Sequence, residues 1–223
     1  EKNQATFKGY KRKNGRAGIR NEIYIIPTVG CVNDVCMRLA RECQGLIEGS
    51  IDGVFALTHQ FGCSQLGEDN ENIKNLLSSI ALNPNATFVL LVGLGCENNR
   101  LEGVVECLKP YNRDNIEYFN CQEVEDEHAY GMQILKGFIE KADNLVKIKQ
   151  KPYFAQLNEA AGRIIRIIKG KEIDGLPDEN LFKEDCEKAL FEALKSIDDT
   201  RSSEDIADNA AVCTDKISTF FDK

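Results

Sequence analysis

Residues 88–99 read FVLLVGLGCENN, and the fold is decided there. An apolar run ends in Gly93, Leu94, Gly95 and Cys96, and the chain turns polar at once. A run of this length stopped by glycine suits a strand buried on both faces of a parallel sheet. Cys96 then stands at the carboxyl end of that strand. The arrangement recurs in IYIIPTVGC, ending at Cys31, and in GVFALTHQFGC, ending at Cys63. The intervals are 32 residues from Cys31 to Cys63 and 33 from Cys63 to Cys96, each long enough for one helix and a return strand. The spacing brings three Gly-Cys turns to one edge of one sheet.

Working outward, the first strand is expected over 22–26, stopped by Pro27, and a helix over 32–43. A second strand is expected over 53–57, then a helix from Gly67 to about Leu82. Asn83-Pro84-Asn85 is a breaker before the strand at 88–93. A helix over 101–108, a short fourth strand over 116–119 and an amphipathic helix over 125–142 complete the pattern. Strands alternating with helices in units of about thirty residues predict an α/β fold, a Rossmann-like parallel sheet with helices on both faces. Residues 1–148 form that domain in this reading, opening with an arm that carries a hairpin signal at Asn14-Gly15. Residues 149–223 read as a helical appendage, with helices over 155–169, 181–196 and 207–221. Linkers at 171–180 and 198–205 separate them. Its isoleucine and leucine stripes suit packing or subunit contact.

Composition limits the function. The 223 residues carry a formal charge of −8, which argues against a nucleic-acid partner. No window approaches the roughly 18 apolar residues of a membrane span. The charged start lacks the apolar core of a signal peptide. Nine cysteines without such a signal point to a reducing, cytoplasmic setting. Cys36, Cys43, Cys107, Cys186 and Cys213 fall in helical patterns and read as packing residues. Cys121 stays undecided. Lys8, Lys11, Arg12, Lys13, Arg16 and Arg20 bunch in the arm, either as a solvated face or as a grip on an anionic substrate.

Ligands of open α/β sheets collect outside the carboxyl ends of the strands. Thiols from Cys31, Cys63 and Cys96 at adjacent strand ends suit soft-metal ligation. The options are an iron–sulfur cluster with one open iron, or a single Fe²⁺ or Zn²⁺ with an exchangeable position. The plainer alternative is that glycine-flanked strand ends tolerate a small residue. His59 is a candidate general base or ligand, or an ordinary satisfied polar residue.

These stretches also carry a resemblance. KGYKRKNGRAGIRNEIYIIPTVGCVN, ALTHQFGC and LLVGLGCENN resemble three signature blocks of the altronate/galactarate dehydratase family, sugar-acid hydro-lyases. The sulfolactate sulfo-lyase large subunit is a relative. The similarity spans about residues 7–145 and implies the family's central domain, which contributes to dimerisation. The blocks fall on Arg16, Arg20, Asn21, Thr28, Gly30, Cys31, Asn33, Thr58, His59, Gly62, Cys63, Gly93, Gly95, Cys96, Glu97 and Asn98. Ser64 stands where the family has a second glycine, and no counterpart of the family's carboxyl-terminal domain follows Lys149. The chain is therefore expected to be an excised domain, or a member that does not turn over alone.

The resemblance implies iron-assisted removal of water from a sugar acid such as D-altronate or galactarate. The expected partners are that substrate, a second copy in a homodimer and a small companion subunit. In the expected mechanism Cys31, Cys63 and Cys96 hold iron, and His59 carries the proton with Glu97 in reserve. Arg16 or Arg20 clamps the carboxylate, and Asn21, Thr58 and Asn98 complete the substrate contacts. The rival expectation is a non-catalytic dimerisation or scaffold domain.

Overall fold

The computed structural model describes residues 6–12, 15–111, 115–169, 177–195 and 203–222. Lys13 and Asn14 of the arm, residues 171–176 of the first linker, and residues 196–202, at the expected helix end and second linker, lie outside them. The chain forms two compact units, 1–142 and 143–223.

The first unit is built on four parallel strands: β3 (Glu22–Pro27), β4 (Gly53–Ala56), β5 (Ala86–Gly93) and β6 (Ile116–Asn120). Before them, β1 (Tyr10–Lys11) and β2 (Ala17–Gly18) make a small antiparallel hairpin. Pro27 does not stop the ladder as expected: it pairs with Val92, and the Thr28 amide donates onward to the Val92 carbonyl at 2.9 Å. The strand order is β4-β3-β5-β6, so the chain steps to one side of β3 and then to the other.

Helices follow that reversal. α1 (Asn33–Gln44) links β3 to β4 and buries Cys36, Leu39 and Cys43 on one face of the sheet. α4 (Glu127–Gln150) shares that face through Leu135 and Phe138. It runs eight residues past the expected end at Ala142, since 143–150 contain no glycine or proline to stop it. α2 (Gly67–Ala81) and α3 (Leu101–Leu108) cover the other face, where Leu77, Ala81, Leu101 and Val104 meet Tyr24, Ile26, Val89 and Leu91. β5 is apolar on both sides because both faces are covered. Each buried leucine or isoleucine adds about 1.5–3 kcal/mol.

The second unit contains α5 (Phe154–Ile168), α6 (Asp185–Lys195), α7 (Ser203–Ala211) and α8 (Thr214–Phe221). Its core is small: Ala160, Cys213 and Ile217, with Ile164, Leu190 and Phe221 against them. The single helix expected over 207–221 is two helices. The Thr214 hydroxyl donates to the Ala211 carbonyl at 2.8 Å at the break, which turns Cys213 and Ile217 inward.

Candidate functional site

In a sheet of this order, the chain reverses direction between β3 and β5, and a crevice opens outside their carboxyl ends. Thr28 leaves β3 there and Glu97 follows β5. The Thr28 hydroxyl donates to Glu97 Oε1 at 2.6 Å, and both residues are buried. Glu97 also accepts from the Leu94 amide at 3.1 Å and the Gly95 amide at 2.6 Å. Burial alone pushes the Glu97 carboxyl up, but these donors, with the backbone amide of Glu97 itself, hold it below its usual range. Glu97 is thus an ionised carboxylate that shapes its own loop.

The Gly95 turn has φ +117°, a region that L side chains avoid. It delivers Cys96 to the surface, where the Gln122 side-chain amide lies 3.9 Å from Cys96 Sγ. Asn99, fully buried, donates from its side chain to the Thr28 carbonyl at 3.2 Å and from its backbone to the Gly62 carbonyl at 3.0 Å. Gly62 has φ +110°, and a Cβ there would stand 2.4 Å from the Thr28 carbonyl oxygen. Three loops, after β3, β4 and β5, are thereby knitted into one rim.

His59 belongs to the same network. Its Nδ1 accepts from the Phe61 amide at 3.1 Å, and its Nε2 lies 2.8 Å from the Pro27 carbonyl oxygen. Asn33, at the start of α1, donates from its side chain to the His59 carbonyl at 2.7 Å. Thr58, beside His59, and Asn98 are both exposed.

Cys31, Cys63 and Cys96 are free, exposed thiols on the loops of three adjacent strands. Cys31 lies four residues past Pro27, Cys63 seven past Ala56 and Cys96 three past Gly93, so the loops carry them along different paths. Among the described residues, no group of three or more His, Cys, Asp or Glu side chains is placed to hold a metal ion. The thiols as they stand therefore do not fit the three-thiolate centre, whether Fe²⁺ or an iron–sulfur cluster, that the sequence led us to expect.

The expected carboxylate clamp does not share this rim. Arg16, Arg20 and Asn21 precede β3 and lie at the amino end of the sheet. Arg20 pairs with Glu22 at 3.2 Å, and Asn21 donates to the Ser50 carbonyl at 2.8 Å and accepts, through its side chain, from Arg12 at 3.2 Å. The six residues of β3, at about 3.3 Å each, put about 20 Å between the two ends. The arm instead docks through Arg12, whose guanidinium donates to the carbonyls of Pro84 (2.6 Å), Arg20 (3.0 Å) and Asn85 (3.4 Å).

A cation that the motif reading passed over is at the rim. Arg100, directly after Asn98 and Asn99, lines a polar cavity of about 140 Å³ with Gly95, Glu97, Glu102, Asn120 and Glu123, and is its one positive group among the described residues. Its position in LLVGLGCENNR, just past the signature block, is the signal that could have found it. A second cavity, about 380 Å³ and mainly apolar, runs beside β4 and is lined by Tyr24, Leu57, Phe61, Ile73, Leu76 and Ile80, among others.

The chain is 45% identical over 141 residues to the altronate dehydratase of Bacillus subtilis (strain 168), covering 61% of this chain and 28% of that protein. It is 42% identical over 130 residues to the altronate dehydratase of Escherichia coli (strain K12), covering 56% and 26%. It is 33% identical over 107 residues to the (2R)-sulfolactate sulfo-lyase subunit beta of Chromohalobacter salexigens, covering 47% and 25%. The chain thus spans about a quarter of the length of these relatives. No solved structure matches it. Residues 9–143 match the family described as D-galactarate dehydratase/altronate hydrolase, second domain, and the chain belongs to that family.

Proposed function

We propose that this chain is a domain of a hydro-lyase, presenting its carboxyl-end rim to a sugar acid such as D-altronate or galactarate. The observation that carries the reading is the rim itself. Cys31, Cys63 and Cys96 stand exposed on three adjacent strands, in loops held together through Thr28, Glu97 and Asn99. The relatives named altronate dehydratase supply the reaction class.

In such a reaction the proton beside the carboxylate leaves as a base takes it, and hydroxide departs from the neighbouring carbon. The enol formed becomes a 2-keto-3-deoxy acid, and the balance is one water lost. On this chain Arg100 meets the substrate carboxylate, and Thr58 and Asn98 hydrogen-bond substrate hydroxyls. The three thiols are the reactive groups that the rim leaves open. Glu97 keeps its charge within its loop. Among the described residues the three thiols are not gathered into a metal site.

The test is an assay of the chain against aldonic and aldaric acids with Fe²⁺ and reductant, alone and with a small companion subunit. We expect a 2-keto-3-deoxy product that is lost in Cys31→Ser, Cys63→Ser and Cys96→Ser. No product from any acid in either setting would overturn the reading. A second reading, a scaffold or homodimerisation domain, draws on the mainly apolar cavity whose lining includes Phe61, 40% exposed, and Leu76, 55% exposed. Sedimentation equilibrium separates it: that reading requires a dimer weakened by Leu76→Glu.

A further inference from the structure

We infer that His59 is a positioning residue rather than the proton carrier: in its neutral Nε2–H form it ties the Cys63 loop to the end of β3. It thereby sets where Cys31 and Cys63 stand. The inference takes its site from the function proposed above, but its test reads hydrogen bonding and exchange, so it stands or falls separately from turnover.

The tautomer follows from the partners. A backbone amide can only donate and a carbonyl can only accept. Phe61 N–H donates to Nδ1 at 3.1 Å, so Nδ1 carries the lone pair. Pro27 offers a carbonyl oxygen at 2.8 Å from Nε2, so Nε2 carries the proton. The other neutral tautomer would set N–H against N–H on one side and lone pair against lone pair on the other. The imidazolium would keep the Pro27 bond and lose the Phe61 bond. The lone pair that a general base needs is therefore already in use.

The rest of the segment is tied to the same neighbours. The Asn33 side chain donates to the His59 carbonyl at 2.7 Å, and its oxygen lies 3.4 Å from the His59 amide. The Gly30 amide donates to the Phe61 carbonyl at 2.9 Å. The Phe61 ring stacks on the imidazole, with centroids 6.1 Å apart and planes 20° from parallel. Residues 59–61 are thus fastened at Pro27, Gly30 and Asn33, on both sides of Cys31. Gly62 and Cys63 follow directly. Of these hydrogen bonds only the two at the ring nitrogens use a side chain of the Cys63 loop, so they are the part of the fastening that a mutation can remove cleanly.

The test is performed on the chain itself. Nitrogen-15 NMR of the histidine side chains at neutral pH should show His59 as the neutral Nε2–H tautomer. Amide hydrogen exchange then reads the fastening. In His59→Ala both ring bonds go, and exchange at Phe61 and at Gly30 should rise about thirtyfold, the factor expected for two bonds of ordinary net strength. His59→Asn restores an acceptor near Nδ1, and His59→Gln a donor near Nε2. Each should fall between, at about fivefold. A purely space-filling role would give no such partial rescue. Nδ1–H or imidazolium signals at neutral pH would overturn the inference, as would unchanged Gly30 exchange in His59→Ala. Should His59→Ala fail to fold, the wild-type spectrum and the two amide variants decide it.

Discussion

Thr28 and Glu97, 69 residues apart in the chain, share a buried hydrogen bond of 2.6 Å at the point where the sheet reverses direction. The bond joins the loop that leads to Cys31 with the loop that carries Cys96. The Glu97 carboxylate accepts from that hydroxyl and from the backbone amides of Leu94 and Gly95.

Glu97→Gln should destabilise the first unit by about 2–3 kcal/mol, because the amide's own hydrogens then face buried donors. The pH dependence has a definite sign. The folded carboxyl titrates below its unfolded value, so its contribution is full above the ordinary carboxylate range of about 4.3 and is lost as pH falls through the lowered folded value. Urea unfolding of wild type and Glu97→Gln at neutral and acid pH checks this. The difference between them should shrink on acidification.

Gly62→Ala should cost about 3 kcal/mol, since its φ of +110° and the 2.4 Å approach to the Thr28 carbonyl both oppose a side chain. Thermal unfolding measures the loss. Gly137→Ala, which meets nothing within 4 Å and lies in α4, is the control and should be neutral or mildly stabilising.

Thiol labelling should divide the cysteines by position. Cys31, Cys63 and Cys96 are exposed and should alkylate first in the native chain. Cys43 is buried in the α1 face, and burial pushes its thiol up to about 11. The same cause pushes Cys36 further up. Both should stay unlabelled until the chain unfolds, as peptide mass spectrometry after a short iodoacetamide pulse would show.

Arg20 and Arg100 should behave oppositely toward a sugar acid. Arg100→Ala removes the guanidinium at the rim and should weaken binding about tenfold or more, the scale of one charged hydrogen bond. Arg20→Ala, at the amino end of the sheet, should leave affinity unchanged. Calorimetric titration with an aldonate and an aldarate distinguishes them. Equal losses would place the substrate elsewhere.

Iron content is the last test. With the three thiols as placed, anaerobically purified chain should carry well below one iron. Stoichiometric iron that disappears in Cys31→Ser, Cys63→Ser and Cys96→Ser would show that the loops close around it.

The architecture was legible in the sequence because its signals are local. Apolar runs such as that of β5, glycine punctuation and intervals near thirty residues determined the parallel sheet, its covered faces and the adjacency of the three Gly-Cys turns. The same local rules failed at Pro27, where pairing with Val92 keeps the proline in the ladder, and at 207–221, where burial of Cys213 and Ile217 breaks a continuous stripe.

What only the tertiary structure decided is which end of the sheet each polar residue occupies and what it bonds to. Arg20 and Cys31 are eleven positions apart in sequence, yet β3 separates them by its whole length. By type alone His59 reads equally as a proton carrier, a ligand or a satisfied polar residue, and Glu97 as a reserve base, whereas in the folded chain Pro27, Phe61 and Thr28 are their hydrogen-bond partners. Two of those three partners lie tens of residues away. Hydrogen-bond partners brought together by chain crossing leave no mark in local periodicity, so the sequence alone determined the scaffold and the fold determined the duties of its side chains.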